Sequence, residues 1–93
     1  MKLEREIQKE VIKYLKQRNI FHFKISERFS SGVPDLYILN GGVSIWIELK
    51  NEKGRPTQLQ THNLSEINKN GGIAVICRSK DEVIEVLRKN ASG

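Results

Sequence analysis

Two short apolar runs flank the tripeptide Asn40-Gly41-Gly42, and this feature constrains the fold most strongly. Residues 35–39 read DLYIL and residues 43–49 read VSIWIEL, so both runs are rich in β-branched and aromatic residues. Glycine tolerates the positive φ angles that the tight turn of a hairpin requires. The stretch therefore predicts a β-hairpin in which Gly41 and Gly42 are the two loop residues.

A two-residue loop determines which residues face each other across the predicted hairpin. Counting back from the turn places Tyr37 opposite Trp46 and Asp35 opposite Glu48. Opposed residues share a face of the sheet, and side chains alternate faces along each strand, so Lys50 joins the two carboxylates. A three-residue loop without a compensating bulge would break this alignment. The opposite face would carry five aliphatic residues: Leu36, Ile38, Ile45, Ile47 and Leu49.

The predicted pair of opposed carboxylates indicates a metal site. Like charges directly across a strand pair destabilise a sheet, and a cation between Asp35 and Glu48 would remove the conflict. Mg²⁺ and Mn²⁺ prefer oxygen ligands and bridge to phosphate groups, where they promote phosphodiester hydrolysis. Lys50 would hold the attacking water or stabilise the negative charge that develops.

The motif Pro34-Asp35 followed by Glu48-Leu49-Lys50 resembles that of the PD-(D/E)xK nuclease superfamily. A similar spacing arises by chance in roughly one or two of a hundred random chains of this length. The segment Gly32-Val33-Pro34-Asp35 also resembles the G-x-P-D motif of the VRR-NUC branch. The resemblance implies a restriction-endonuclease-like core in which Asp35, Glu48 and the Leu49 carbonyl bind the metal ion.

Residues 2–18 are predicted to form an amphipathic helix. Glu4 lies within or beside its apolar stripe, whereas Glu6 points away from it at about 100° per residue. An acid in the first turn is also explained by the helix dipole alone. Proteins of the VRR-NUC branch carry a metal-binding acid on this helix, and Glu4 followed by Gln8 resembles that pattern. Glu4 is therefore the preferred third ligand, and Glu6 is the alternative. The stripe comprises Leu3, Ile7, Val11, Tyr14 and Leu15.

Residues 20–25 are predicted to form a strand with one apolar and one half-polar face. Phe21, Phe23 and Ile25 would lie on the buried face. His22, on the other face, is interpreted as an ordinary strand histidine, with a phosphate donor as the alternative. Trp46 is expected to pack under a helix with Tyr37, and base stacking is the less favoured alternative.

Two loops beside the motif carry candidate DNA-binding residues. Arg28, Ser30 and Ser31 precede Pro34-Asp35, and Lys53 and Arg55 follow Lys50. Phosphate contacts come mostly from basic and hydroxyl side chains. Ordinary solvated loops are the alternative interpretation for all five residues.

Thr57 and Gln60 fit a capping box at the start of a helix that runs to about Lys69, which is a sufficient structural role for Gln60. The pair also resembles the S/T-x-x-Q signature of VRR-NUC proteins, which implies a catalytic role for this glutamine. Asn63 stands where many relatives have tryptophan.

A buried strand is then predicted over 73–77, followed by a second capping box at Ser79 and a helix to about Lys89.

The predicted order is helix, three strands, helix, strand and helix. This α/β order matches the αβββαβ core of PD-(D/E)xK nucleases with a C-terminal helix, built on a mixed central sheet flanked by helices. Residues 1–93 would form a single domain, since 93 residues suffice for only a thin core.

Composition limits the classes of protein that remain. The net charge of +5 favours a polyanionic partner such as DNA. The single cysteine, Cys77, excludes an internal disulfide and a cysteine metal cluster. The chain shows no signal peptide and no membrane-length apolar stretch, so an intracellular protein is expected, including a phage-encoded one that acts in its host cell.

The leading hypothesis is a Mg²⁺- or Mn²⁺-dependent DNA endonuclease in which Asp35, Glu48, Lys50 and Gln60 act in catalysis. Stand-alone VRR-NUC proteins act on branched DNA, so the resemblance implies an activity like that of Holliday-junction resolvases and a homodimer with two active sites. A restriction-type or nicking nuclease is the alternative enzyme. A non-catalytic nucleic-acid-binding module and a small structural protein are the two hypotheses without an enzymatic activity.

Overall fold

The computed structural model describes residues 1–25 and 31–91. Three helices and four strands follow one another in the predicted order, with bounds within about two residues of those expected. They are α1 (Glu4–Gln17), β1 (Phe21–Lys24), β2 (Leu36–Asn40), β3 (Val43–Leu49), α2 (Gln58–Lys69), β4 (Ile73–Cys77) and α3 (Lys80–Lys89).

The four strands form one mixed sheet in the spatial order β1-β2-β3-β4. The strands β1, β2 and β3 pair antiparallel, whereas β4 runs parallel to β3. A parallel neighbour requires a crossover connection, and α2 provides it. The mixed sheet flanked by helices is therefore confirmed.

The Gly41-Gly42 turn sets the register of the central hairpin as predicted. Both glycines have positive φ angles, of 59° and 82°, and Asn40 pairs with Val43 on either side of them. Tyr37 consequently faces Trp46. This register brings the ends of the two strands, where the acidic residues of the motif lie, next to each other.

The hydrophobic core lies on one face of the sheet, between the strands and the helices α1 and α3. The five aliphatic residues predicted for this face of the hairpin are all buried, which confirms the alternation of faces. Cys77 is buried with them, as expected. From the helices come Ile7, Val11 and Leu15 of α1 and Val83 and Leu87 of α3.

The prediction that Phe21 and Phe23 are buried is wrong. Their side chains are 60% and 48% exposed, because they lie on the face of the sheet opposite to α1 and α3. His22 and Lys24 alternate with them, and the His22 ring contacts the Ile20 carbonyl through Nδ1 at 2.7 Å. The two phenylalanines thus remain accessible on an edge strand.

Two smaller expectations also need correction at helix ends. Leu3 is the N-cap of α1 and is 45% exposed, so it does not extend the apolar stripe. Ser79 caps α3 by accepting a hydrogen bond from the Glu82 backbone, but Glu82 accepts from the backbone N–H of Arg78 rather than that of Ser79. The predicted capping box is therefore only half formed.

No helix within the described residues has the length and apolar character that crossing a membrane requires.

Gly32, in the loop before Pro34, lies tightly against α2. Its φ is +82°, and a Cβ atom there would lie 2.5 Å from Cγ of Leu59. The side-chain amide of Asn63 donates a hydrogen bond of 2.8 Å to the Gly32 carbonyl. Asn63 therefore connects α2 to the loop that precedes the motif.

We expect Gly32→Ala to lower the free energy of unfolding more than Gly42→Ala does. Gly42 has the same φ of +82° but no neighbouring atoms within 4 Å, so its substitution costs only backbone strain, about 1 kcal/mol. Gly32→Ala adds the contact with Leu59 and should cost at least ~2 kcal/mol. Urea denaturation measures both losses.

The matched control is Leu59→Ala in the Gly32→Ala background, which should restore part of the lost stability. Equal losses for the two single glycine variants would contradict the contact between Gly32 and α2.

Candidate metal centre

Three carboxylates from three separate elements converge at one end of the hairpin. Glu4, Asp35 and Glu48 each present an oxygen atom, and these atoms all lie within 4.8 Å of one another. Glu4 and Asp35 are partly exposed, whereas Glu48 is only 1% exposed. We call these three residues the acidic cluster.

Asp35 is held in place by hydrogen bonds on both of its sides. Its Oδ2 accepts from the backbone N–H of Leu49 at 2.8 Å, and its carbonyl accepts from the N–H of Ile25 at 2.8 Å. The bond from Ile25 continues the β1–β2 pairing by one residue, and the bond from Leu49 ties the Asp35 side chain to the end of β3. The Leu49 contribution seen here is its N–H, and metal binding by its carbonyl remains a prediction.

Helix α1 brings Glu4 to the cluster. Ile7, Val11 and Leu15 of this helix pack into the core, which orients its first turn toward the end of the hairpin. Glu6, the alternative ligand, is exposed and accepts a hydrogen bond of 3.1 Å from the backbone N–H of Leu3. Of the two acids, Glu4 is the one that lies beside Asp35 and Glu48.

The carboxylate of Glu48 lies in an unfavourable environment. Its Oε1 is buried without a hydrogen-bond partner among the described residues. Its Oε2 lies 3.5 Å from Nζ of Lys50 and accepts a hydrogen bond of 3.2 Å from Nε2 of Gln60. Burial above all, and the charge of Asp35 next, raise the pKa of Glu48 to about 8, although Lys50 acts in the opposite direction.

The acidic cluster fits a divalent cation. A buried carboxylate oxygen without a partner costs free energy, and neighbouring carboxylates repel each other. A hard cation would satisfy the Oε1 atom of Glu48 and neutralise the repulsion, since Mg²⁺ and Mn²⁺ take oxygen ligands. The chemistry of the three carboxylates is therefore compatible with such an ion.

Gln60 combines the capping role and the contact with the site that its sequence position suggested. The side-chain Oε1 of Gln60 accepts a hydrogen bond of 2.9 Å from the Thr57 backbone N–H. The backbone N–H of Gln60 donates to Oγ1 of Thr57 at 3.1 Å. These two bonds form the predicted capping box. The amide nitrogen of the same side chain donates to Glu48. The N-terminus of α2 is thereby linked to the acidic cluster.

Arg78, which the sequence did not single out, braces the loop after β3. One guanidinium nitrogen, Nη1, donates hydrogen bonds of 2.7 Å to the carbonyls of both Asn51 and Gly54. The side chain of Asn51 also accepts from the backbone N–H groups of Lys53 and Gly54. No local pattern in the sequence predicts this brace, because 24 to 27 residues separate the arginine from the two carbonyls.

The candidate DNA-binding residues differ in what the structure says of them. Lys53 and Arg55 are exposed on the loop that Arg78 braces. Ser31 is also exposed and lies three residues before the buried Pro34. Arg28 and Ser30 lie outside the described residues. All five roles in DNA binding remain predictions.

We expect Mg²⁺ or Mn²⁺ to raise the melting temperature of the protein. At a metal concentration ~100 times Kd, the increase should be roughly 10–20 °C for a domain of this size. Glu4→Gln, Asp35→Asn and Glu48→Gln should each reduce it strongly, because each removes a charged ligand. A thermal melt over a metal titration measures the effect.

Glu6→Gln is the matched control, because it removes a charge from the same helix turn and keeps the hydrogen bond to Leu3. Its metal-induced increase should equal that of the original protein. If Glu6→Gln removed the increase and Glu4→Gln did not, the assignment of the helix ligand would be reversed.

Metal-free stability should depend on pH through Glu48. Because its pKa is raised to about 8, the folded state holds a proton that the unfolded state loses near pH 4.5. The free energy of unfolding should therefore fall as pH rises from about 4.5 to about 8. Glu48→Gln should remove this decline and melt several degrees higher than the original protein at pH 8 in EDTA.

The difference between the two pH profiles is the measured quantity, since groups away from the acidic cluster contribute equally to both. Parallel profiles from pH 4.5 to 8 would show that the Glu48 carboxylate is not destabilised by its surroundings.

Comparison with known proteins gives similarity at the level of structure. No protein-family model matches the chain, and no curated protein does. A solved structure titled "VRR_NUC domain protein" superposes with a TM-score of 0.81 at 24% identity, over 96% of this chain and 88% of its own. A second, titled "VRR_NUC domain", gives a TM-score of 0.78 at 24% identity, over 94% and 96%. The chain therefore has the fold of a VRR-NUC domain, as its motifs predicted.

Proposed function

We propose that this protein is a metal-dependent DNA endonuclease that hydrolyses phosphodiester bonds at the acidic cluster. The observation that carries the proposal is the convergence of Glu4, Asp35 and Glu48 within 4.8 Å. Lys50 and Gln60 contact Glu48 in the same place. The similarity of the fold to VRR-NUC domains supports the same conclusion.

In this proposal Glu4, Asp35, Glu48 and the Leu49 carbonyl hold Mg²⁺ or Mn²⁺. When bound, such an ion supplies Lewis-acid activation of the scissile phosphodiester. The Leu49 N–H keeps Asp35 oriented, and Gln60 keeps the Glu48 carboxylate oriented. These contacts preorganise the ligands before DNA binds.

Lys50 is the candidate donor to the reacting phosphate. Its ammonium group lies 3.5 Å from Glu48 and its side chain is only 14% exposed, so little water competes for its N–H donors. An ammonium in a poorly solvated site stabilises the negative charge that develops on phosphate oxygens. It also offers a donor to the attacking water.

Binding of the DNA backbone is assigned to exposed basic and hydroxyl residues beside the cluster. Lys53 and Arg55 are exposed on the loop that Arg78 braces, and the exposed Ser31 precedes the motif in the chain. Arg28 and Ser30, outside the described residues, complete the proposed set. The net charge of +5 supports attraction to a polyanion.

We further propose branched DNA, including four-way junctions, as the substrate and a two-fold homodimer as the active form. The support is the resemblance to stand-alone VRR-NUC proteins together with the fold. A two-fold axis would place two acidic clusters for paired cuts across a junction. We also propose that the protein acts inside a cell, a phage-infected host cell included.

Cleavage of end-labelled DNA tests the proposed function directly. Single-stranded, linear duplex, flap and four-way-junction substrates should be compared in Mg²⁺, Mn²⁺ and EDTA. We expect cutting that requires the metal, with the junction preferred. Asp35→Asn and Lys50→Met should each lower the rate at least ~100-fold, because each removes a ligand or a transition-state donor.

Glu6→Gln serves as the control in the same assay and should cut at the original rate. Tight junction binding without cutting in either metal would reject the nuclease and favour a non-catalytic nucleic-acid-binding module.

A further inference from the structure

Four aromatic rings form a continuous line across one face of the sheet. The ring centroids lie 6.1 Å apart for Phe21 and Phe23, 5.1 Å for Phe23 and Tyr37, and 4.7 Å for Tyr37 and Trp46. The Tyr37 hydroxyl is fixed by a 2.9 Å hydrogen bond with the Ser44 hydroxyl. We call these four residues the aromatic ladder.

The two ends of the aromatic ladder have different surroundings. Trp46 is partly buried beside Gly72, at the connection from α2 to β4. At the β1 end, the side chains of Phe21, Phe23 and the adjacent Leu39 are 60%, 48% and 39% exposed. The fold thus anchors one end of a rigid row of rings and leaves the other accessible.

The aromatic ladder adjoins the acidic cluster on the same face of the sheet. Phe23, Tyr37 and Trp46 form one row across three strands, in the observed register. The row of Asp35 and Glu48 follows two residues along the strands, about 7 Å from this row and about 14 Å from Phe21, which lies one row further away. A strand of DNA whose phosphate lies at the cluster therefore has bases within reach of the rings.

Size and charge indicate what covers this surface. At ~200 Å² for each aromatic side chain, the exposed parts of Phe21 and Phe23 amount to roughly 200 Å², and Leu39 adds a smaller area. A stable protein–protein interface needs about 800 Å² from each partner. The net charge of +5 also attracts DNA, which is a polyanion, to the protein. A few stacked bases match both the area and the charge.

We propose that the aromatic ladder is a stacking platform for unpaired DNA bases beside the phosphate that the acidic cluster cleaves. The inference rests on the proposed nuclease function and specifies its substrate as DNA with unpaired bases next to the cut. Every base presents a π-face, so stacking on aromatic rings is tolerant of sequence. Paired bases in a blunt duplex are stacked on each other and cannot use the platform.

The test measures binding in an Asp35→Asn background with Mg²⁺, which prevents cutting. The probes are a duplex with a single-stranded flap, carrying 2-aminopurine near the branch, and a blunt duplex of the same length. The variants are Phe21→Leu with Phe23→Leu, which keep an apolar surface without rings, and Phe21→Tyr with Phe23→Tyr, which keep the rings.

We expect the leucine pair to weaken flap binding about 10-fold or more and to abolish quenching of 2-aminopurine. Binding of the blunt duplex should change far less, and the tyrosine pair should restore flap binding. Equal losses for flap and blunt duplex, or failure of the tyrosine pair to restore binding, would overturn the proposal.

Two further measurements separate the remaining explanations. In sedimentation, the double variant Phe21→Ser with Phe23→Ser should have the same oligomeric state as the original protein. If the original protein were a dimer and the variant a monomer, the surface would be assigned to a second copy. Loss of the metal-dependent melting increase in the original protein would instead reject the nuclease itself. Quenching of 2-aminopurine does not require cutting, so the two failures are distinguishable.

Discussion

The two-residue turn at Gly41-Gly42 is the constraint on which the arrangement of the site depends. Side chains alternate faces with period two, so a slip of one residue would send every side chain of a strand to the opposite face. The aliphatic residues would then leave the core, and Asp35 would no longer face Glu48. Burial of the five aliphatic side chains thus enforces the same register that brings the carboxylates together. The interactions that fold the hairpin therefore also assemble the acidic cluster.

The acidic cluster contains a buried carboxylate, which a stable core disfavours. Glu48 loses hydration on burial and lies next to Asp35, and contacts with Lys50 and Gln60 offset only part of this cost. Natural proteins tolerate such groups where the structure around them is well determined. Here the hydrogen bonds of Asp35 to Leu49 and Ile25 and the core packing of α1 hold the acidic residues in position.

The parts of the structure that depend on local pattern were predictable from the sequence. The turn chemistry predicted the hairpin register, and helical phase together with the resemblance to VRR-NUC proteins favoured Glu4 over Glu6. Burial of Phe21 and Phe23 was predicted wrongly, because alternation defines two faces of a strand but not which face a helix covers. The brace by Arg78 and the contact of Asn63 with Gly32 join distant segments, and neither has a local signal.

The hydrogen bonds of Gln60 determine which side chain the position accepts. Its carbonyl oxygen must accept from Thr57 while its nitrogen donates to Glu48, so the amide cannot rotate by half a turn without losing both bonds. Glutamate would keep the cap but has no donor for Glu48, and asparagine is one methylene shorter. At neutral pH, glutamine alone carries an acceptor and a donor at the end of a side chain of this reach. Helix capping and site assembly therefore restrict this position jointly to one amino acid.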